Sequence, residues 1–329
     1  MTDQPASSST RVVAITGASG LIGSALSEAV RERGDEVVHL VRRDARPAEQ
    51  LPSGVREQTW DPGAALDPGA ALDPGVLAGV HGVVHLAGAG IGDKRWTDER
   101  KKVLVSSRLD GTSTIADALA ALADREGGAS GAPRLVSGSA VGYYGDRGEE
   151  VLTESSGPGE GFLSQLCQDW EGATGPAEQA GVPVAHVRTG IVLAPGGGAL
   201  GRLLPLVRLG LGGPLAGGDA WWPWITLHDH VRELLFLLDH PEITGPVNLV
   251  GPAPATQLQV TRALAAELHR PAVVPAPGFA LRIVLGEMSS EILSSTRALP
   301  EVLTGAGFTF DHADLQAAAA WVVQQDQAA

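Results

Sequence analysis

Thr16-Gly17-Ala18-Ser19-Gly20-Leu21-Ile22-Gly23 follows the apolar run Val12-Val13-Ala14-Ile15, and together they read as a strand that turns through glycine into a helix. The helix shows in Leu21, Ile22, Ala25, Leu26, Ala29 and Val30, which share one face. Gly34 and a second apolar strand, Val37 to Val41, close the unit. Such a turn leaves bare backbone where a pyrophosphate can approach, and the opening of the helix offers unpaired N–H groups with a partial positive charge. Gly17 permits the tight turn, Gly20 clears room for phosphates, and Gly23 lets helix pack on strand. Spacing alone is a weak signal, but here the strand before and the helix after supply the required context. The segment predicts a dinucleotide site on Gly17, Ser19, Gly20, Leu21, Ile22 and Gly23.

The end of the second strand selects between the two nicotinamide dinucleotides. An acid there accepts from a free ribose 2′-hydroxyl, whereas arginine neutralises a 2′-phosphate. Arg42-Arg43 follow Val41 directly and the nearest acid, Asp44, lies beyond them. The expected cofactor is NADP(H), with Arg42 ahead of Arg43 as the clamp.

The chain has 329 residues, enough for one large core or two linked lobes. No apolar run approaches the roughly 18 residues that a membrane-spanning helix needs. Met1 to Thr10 is polar and Ser-rich without a basic start, which reads as a frayed tail rather than a signal peptide. Cys167 is the only cysteine, so neither an intramolecular disulfide nor a cysteine metal cluster can form, and a reducing cytoplasm is the expected home. A net charge of −14 argues against nucleic acid or an anionic membrane as partner.

Strand and helix alternate through the first half: Val12 to Ile15, the helix from Leu21, Val37 to Val41, a loop, Gly82 to Leu86, a helix from about Asp98 to Ala123, Arg134 to Ser137, and Val184 to Arg188. Alternation of this kind predicts a doubly wound parallel α/β sheet of Rossmann type. The expected organisation is a tail at 1–10, a dinucleotide-binding domain at 11–194 to which 224–240 returns, and a smaller mixed α/β lobe at 195–329. Repeated Asp-Pro-Gly units between Asp61 and Leu77 read as an expanded loop, and Glu126 to Pro133 as a second, mobile one.

Larger patterns then resemble a known group. Thr16 to Gly23 is similar to the TGxxGxxG turn of extended short-chain dehydrogenase/reductase proteins, His85-Leu86-Ala87-Gly88 to their HLAG segment, and Trp224 to Asp229 to their WIHxxD segment. Arg95 to Thr97 with Ser107 to Leu109, Ser139 to Gly145, Trp170-Glu171, and Arg188 to Leu193 with Gly196 to Gly198 resemble an atypical epimerase-family subgroup, also labelled cell-division-inhibitor-like. The resemblance covers Arg11 to Val323. It implies a Rossmann domain with a smaller C-terminal lobe, binding NADP(H). It also implies Leu86, Ala87 and Gly88 beside the adenosine half, Arg108 near the cofactor, and Thr189 to Val192 against the nicotinamide half.

The chain departs from the superfamily at its catalytic pair, a Tyr with a Lys one helical turn later that lowers the phenol pKa. Tyr143 and Tyr144 are followed four positions on by Arg147 and Gly148, and the only lysines are Lys94, Lys101 and Lys102. Ser139 stands at the position of the superfamily's catalytic serine. Tyr143 or Tyr144 could supply an acid from the loop or could cap a packed turn; Tyr143 is taken as the candidate with Ser139. Cys167 reads as core. Trp221, Trp222 and Trp224 could stack on a ligand or pack the lobes together, and Arg297 could meet a substrate anion. His228 and His230 flank Asp229 without a third ligand, so no metal site is assigned and Asp229 reads as an anchor or helix cap. These residues predict an NADP(H)-dependent oxidoreductase or epimerase acting on a small polar metabolite, with a sugar derivative among the candidates, as monomer or homodimer. The alternative is a cofactor-binding regulatory or redox-sensing protein with little or no turnover.

Overall fold

A computed structural model describes residues 10–64, 71–125, 127–128 and 132–328. The expected tail up to residue 9, the middle of the Asp-Pro-Gly repeat and parts of the loop from Glu126 to Pro133 lie outside the described residues.

Seven parallel strands form the central sheet: β1 (Val12–Thr16), β2 (Glu36–Val41), β3 (Val55–Thr59), β4 (Gly82–His85), β5 (Arg134–Ala140), β6 (Val184–Thr189) and β7 (Gly245–Leu249). Their order across the sheet is β7-β6-β5-β4-β1-β2-β3. Central strands covered on both faces must be apolar throughout rather than alternating, and Val13, Ala14, Ile15, Val83 and Val84 are fully buried. On one face α1 (Leu21–Glu32) and α5 (Leu227–Asp239) close a core of Val13, Ile15, Leu26, Leu234 and Leu237. On the other, α2 (Asp98–Arg125) packs Ile115, Leu119 and Leu122 against Ala14, Val83 and Leu135.

Two strands differ from the sequence reading. Residues between Val41 and Gly82 were expected to form a loop, yet Val55-Arg56-Glu57-Gln58-Thr59 is the edge strand β3, paired in parallel with β2. An edge strand needs no second apolar face, so its polar composition hides it. Gly245–Leu249, assigned from sequence to the smaller lobe, pairs in parallel with β6 and extends the central sheet.

Between these elements run α3 (Phe162–Gly172) and α4 (Leu200–Arg208); α6 (Gln257–Glu267) and α7 (Leu315–Ala328) follow β7. The last three enclose a separate apolar cluster with Trp222 and Trp224. Both indoles are buried in that cluster, and Trp224 Nε1 donates to the Ala253 carbonyl at 2.9 Å, so these two pack the lobe rather than face a ligand. Among the described residues no helix is long and apolar enough to cross a membrane.

Candidate active site

The glycine turn lies at the carboxyl end of β1, where open α/β sheets hold their ligands. Gly17 has φ +68°, and a Cβ there would fall 2.9 Å from the Leu86 carbonyl carbon. A Cβ on Gly23 would lie 2.3 Å from the Gly17 carbonyl oxygen, and one on Gly20 would crowd the same oxygen at 3.3 Å. Gly20 is the N-cap of α1 and brings no side chain to it, which leaves the first N–H groups of the helix for an anion. Ser19 is exposed on the turn, and Leu21 and Ile22 are half-buried behind it.

A buried hydroxyl ties this turn to β4. Thr16 Oγ1 accepts from the Leu86 and Ala87 N–H groups at 3.0 and 3.1 Å and pairs with His85 Nδ1 at 2.8 Å. With both amides donating to it, the hydroxyl proton points at Nδ1, which fixes the imidazole as the Nε2–H tautomer. His85 is fully buried, and burial with nearby Arg108 pulls its pKa down to about 4, in keeping with a neutral ring. Leu86, Ala87 and Gly88 are thereby held alongside Gly17.

The two arginines after β2 are in different situations. Arg43 forks onto Glu57 with both contacts at 2.7 Å, and Arg46 reaches the same carboxylate. These two guanidiniums hold the Glu57 carboxyl well below the usual range. Arg42 is exposed and, among the described residues, makes no ion pair or hydrogen bond.

Arg108, on α2, is buried rather than splayed on a surface. It donates to the Ala89 and Leu104 carbonyls at 3.0 and 3.2 Å, lies 4.9 Å over the Trp170 ring and packs against Gly88. Burial lowers its pKa to about 10, which leaves it charged at neutral pH, and no carboxylate pairs with it among the described residues.

Ser139, near the end of β5, opens a chain of buried polar contacts. Its Oγ donates to Glu171 Oε1 at 2.7 Å. Glu171, near the end of α3, forks onto Arg188 of β6 through two bonds of 2.9 Å. Arg188 donates to the Tyr144 hydroxyl at 3.0 Å, which donates to Asn248 Oδ1 of β7 at 2.7 Å. Burial works against the Arg188 charge, but the Glu171 fork outweighs it and raises the pKa, so the guanidinium persists. Burial likewise raises the Tyr144 pKa, which makes Tyr144 a fixed structural member. Tyr143 differs: its ring lies on the Arg188 guanidinium at 3.4 Å, while its hydroxyl has no hydrogen-bond partner among the described residues.

Sequence reading singled out Ser139 and Tyr143 and did not link Glu171 and Arg188 to them. One signal was present: an arginine ending the otherwise apolar run Val184-Ala185-His186-Val187 needs a buried counter-charge. Cys167 lies beside Ser139, and burial pushes its thiol up to about 12, so it is neither a nucleophile nor a responsive redox group at neutral pH.

Thr189 pairs with the buried His230 at 3.1 Å, and Val192 sits in a short strand (Ile191–Leu193) beside Trp224–Thr226. The glycine loop after that strand passes over α1, a Cβ on Gly197 falling 3.1 Å from the Leu21 side chain. Trp221 stands apart from its two neighbours. Its Nε1 donates to Glu149 and its ring carries the Arg297 guanidinium at 4.3 Å, next to a cleft of about 280 Å³ that includes Glu149, Asp219 and Ser295. Thr226, not Asp229, caps α5; Asp229 accepts from the Asp311 and His312 amides at 2.9 and 2.8 Å and anchors the C-terminal segment. His228, Asp229 and Asp311 lie within 4.8 Å of one another, but these bonds already account for the Asp229 carboxylate and no metal is assigned.

A Rossmann-like sheet with a glycine turn at the carboxyl end of its first strand defines a class of dinucleotide-binding proteins. The chain belongs to the NAD dependent epimerase/dehydratase family, whose profile matches residues 13–250. A domain of unknown function, DUF1731, matches 276–322. An epimerase family protein of Mycobacterium bovis is 42% identical over 92% of this chain and 94% of its own length. The chloroplastic SDR39U1 homolog of Arabidopsis thaliana is 33% identical over 91% of this chain and 83% of its own. The crystal structure of human epimerase family protein SDR39U1 (isoform 2) with NADPH superposes with a TM-score of 0.81 at 29% identity, covering 95% of this chain and 99% of that one.

Proposed function

We propose that the chain is an NADP(H)-dependent oxidoreductase or epimerase of the atypical extended short-chain dehydrogenase/reductase type, acting on a small polar metabolite such as a sugar derivative. The observation that carries this reading is the Ser139–Glu171–Arg188 chain, a polarised hydroxyl near the carboxyl end of β5 in a sequence that lacks the superfamily's Tyr/Lys pair.

The glycine turn fits a dinucleotide: a Cβ at Gly17, Gly20 or Gly23 would crowd backbone of the turn itself or of Leu86, so only glycine keeps the turn this tight, and the α1 N-terminus is uncapped by any side chain. Ser19, Leu21 and Ile22 would line the pyrophosphate side. The unpaired Arg42 suits a 2′-phosphate; Arg43, committed to Glu57, is the weaker candidate. The human relative crystallised with NADPH supports the same choice. Leu86, Ala87 and Gly88 would face the adenosine half with Arg108 behind Gly88, and Thr189 and Val192 the nicotinamide half. When bound, the cofactor accepts or supplies hydride.

The chain's own residues manage the proton. A substrate hydroxyl hydrogen-bonded to Ser139 Oγ passes its proton to that oxygen as the Ser139 proton moves onto Glu171 Oε1, 2.7 Å away. Arg188 orients the Glu171 carboxylate for this task through its two hydrogen bonds. Tyr143, with its free hydroxyl, is a second hydrogen-bond donor to the substrate. The competing reading, a regulatory protein with little turnover, draws on the missing Tyr/Lys pair; in its redox-sensing form it must also contend with a lone thiol of pKa about 12.

The test is a screen of sugar-type aldehydes and ketones for NADPH oxidation, followed at the nicotinamide band. Ser139→Ala and Glu171→Gln are each expected to lower kcat by about 10²–10⁴, the range for general acid–base groups, and the double variant to be no worse than either single one. Turnover unaffected by both replacements would remove Ser139 from the catalytic role.

A further inference from the structure

We propose that the smaller lobe carries a docking face for an anionic lipid surface, formed by the end of α4, the segment after it, residues 271–276 and the helix Gly278–Leu285. This inference is independent of the catalytic reading.

The face is apolar where the chain meets water. Leu209, Val273, Phe279 and Ile283 are 73, 72, 67 and 70% exposed, with Leu206, Leu211 and Val274 beside them in the sequence and also exposed. Among the described residues only Val103 and Val151 are other large apolar side chains left so open. These residues are brought together by backbone pairing. Val274 N–H donates to the Gly212 carbonyl at 3.1 Å, Ala276 to Pro214 at 2.9 Å, and Ala216 back to Ala276 at 2.9 Å. Leu211 and Val273 therefore sit on adjacent segments. Phe279 and Ile283 follow one helical turn apart, so they share a face of their helix. Proteins that remain free in water do not usually leave an apolar area of this kind uncovered.

Charge identifies the occupant. The net charge of −14 argues against an anionic partner for the molecule as a whole, yet residues 199–218 and 268–286 contain neither Asp nor Glu and carry Arg202, Arg208, Arg270 and Arg282. Arg208 pairs with Asp326 and Arg202 with the Gly92 carbonyl. Arg270 and Arg282 are exposed and, among the described residues, have no partner. The nearest acids along the chain, Asp219, Glu267 and Glu287, lie just outside the two segments. Phe, Leu and Ile side chains flanked by arginine are what interfacial binding requires: the apolar groups enter the headgroup boundary while the cations meet lipid phosphate. A second copy docking through the same face would cover Arg270 and Arg282 with segments that hold no Asp or Glu to pair them, so the arrangement favours lipid.

The test is co-sedimentation of the purified full chain with vesicles of phosphatidylcholine alone and of phosphatidylcholine with phosphatidylglycerol, at physiological ionic strength. Binding is expected on the anionic vesicles and not on the neutral ones. Arg270→Gln with Arg282→Gln should weaken it by about tenfold or more, and Phe279→Ser with Ile283→Ser should abolish it, both variants keeping the wild-type far-ultraviolet circular dichroism and melting midpoint. No binding to anionic vesicles, or equal binding to both kinds, would overturn the proposal. So would a wild-type dimer by light scattering that Phe279→Ser with Ile283→Ser converts to monomer, since the face would then belong to a second copy.

Discussion

At the scale of single residues, the site depends on which polar groups are paired and which are left open. Tyr143 and Tyr144 are adjacent in sequence and opposite in role. Tyr144 is buried with its hydroxyl spanning Arg188 and Asn248, whereas Tyr143 offers its ring to Arg188 and keeps its hydroxyl free. Tyr144→Phe strips a partner from a buried guanidinium and a buried amide, so it should cost about 1–3 kcal/mol in urea unfolding. Tyr143→Phe removes no internal hydrogen bond and should cost well under 1 kcal/mol in the same measurement. Equal losses for the two variants would mean that the pairing described for Tyr144 does not operate in solution. Sequence could name both tyrosines but not tell them apart. The distinction is tertiary, made by partners 44 and 104 positions away along the chain.

At the scale of elements, the strand–turn–helix unit at the start of the chain was legible because every local signal agreed: apolar strand, glycine spacing and amphipathic helix. A methyl group on Gly23 must displace the Gly17 carbonyl, so Gly23→Ala should shift α1 against β1 and lower the melting midpoint together with any dinucleotide response. Strand β3 was not legible, because an edge strand of Arg, Glu, Gln and Thr carries no apolar pattern; β7 reads as a strand from its run Val247 to Val250, but its place in the central sheet does not show in the sequence. The Ser139–Glu171 contact was hidden for another reason, since it joins a strand to a helix 32 residues later. Helix α5 carries its own unread feature. Glu233 is fully buried with neither carboxylate oxygen hydrogen-bonded, and burial raises its pKa well above the ordinary value. A raised carboxyl pKa means that the folded state keeps a proton the unfolded chain releases above about pH 4.5, so stability is lost as pH rises. Glu233→Gln cannot release that proton. Chemical denaturation should find it as stable as the wild type at pH 4 and more stable at pH 8; equal stability at both values would place an ionised, solvated carboxylate at this position.

At the scale of the molecule, the turn after β1, Ser139 near the end of β5 and the glycine loop over α1 all lie toward the carboxyl end of the central strands. Family membership and fold agree with that arrangement, while the choice of NADP(H) rests on Arg42, a single unpaired cation. The most direct measurement is therefore a thermal-shift titration with NADPH and NADH in parallel, on wild type and Arg42→Ala. A ligand bound only by the folded state adds RT ln(1 + [L]/Kd), about 2.7 kcal/mol at a hundredfold excess over Kd. The expected result is a clear upward shift with NADPH, a weaker one with NADH, and loss of the difference in Arg42→Ala. A shift with neither nucleotide would contradict the cofactor reading and the oxidoreductase chemistry built on it, and leave the fold standing.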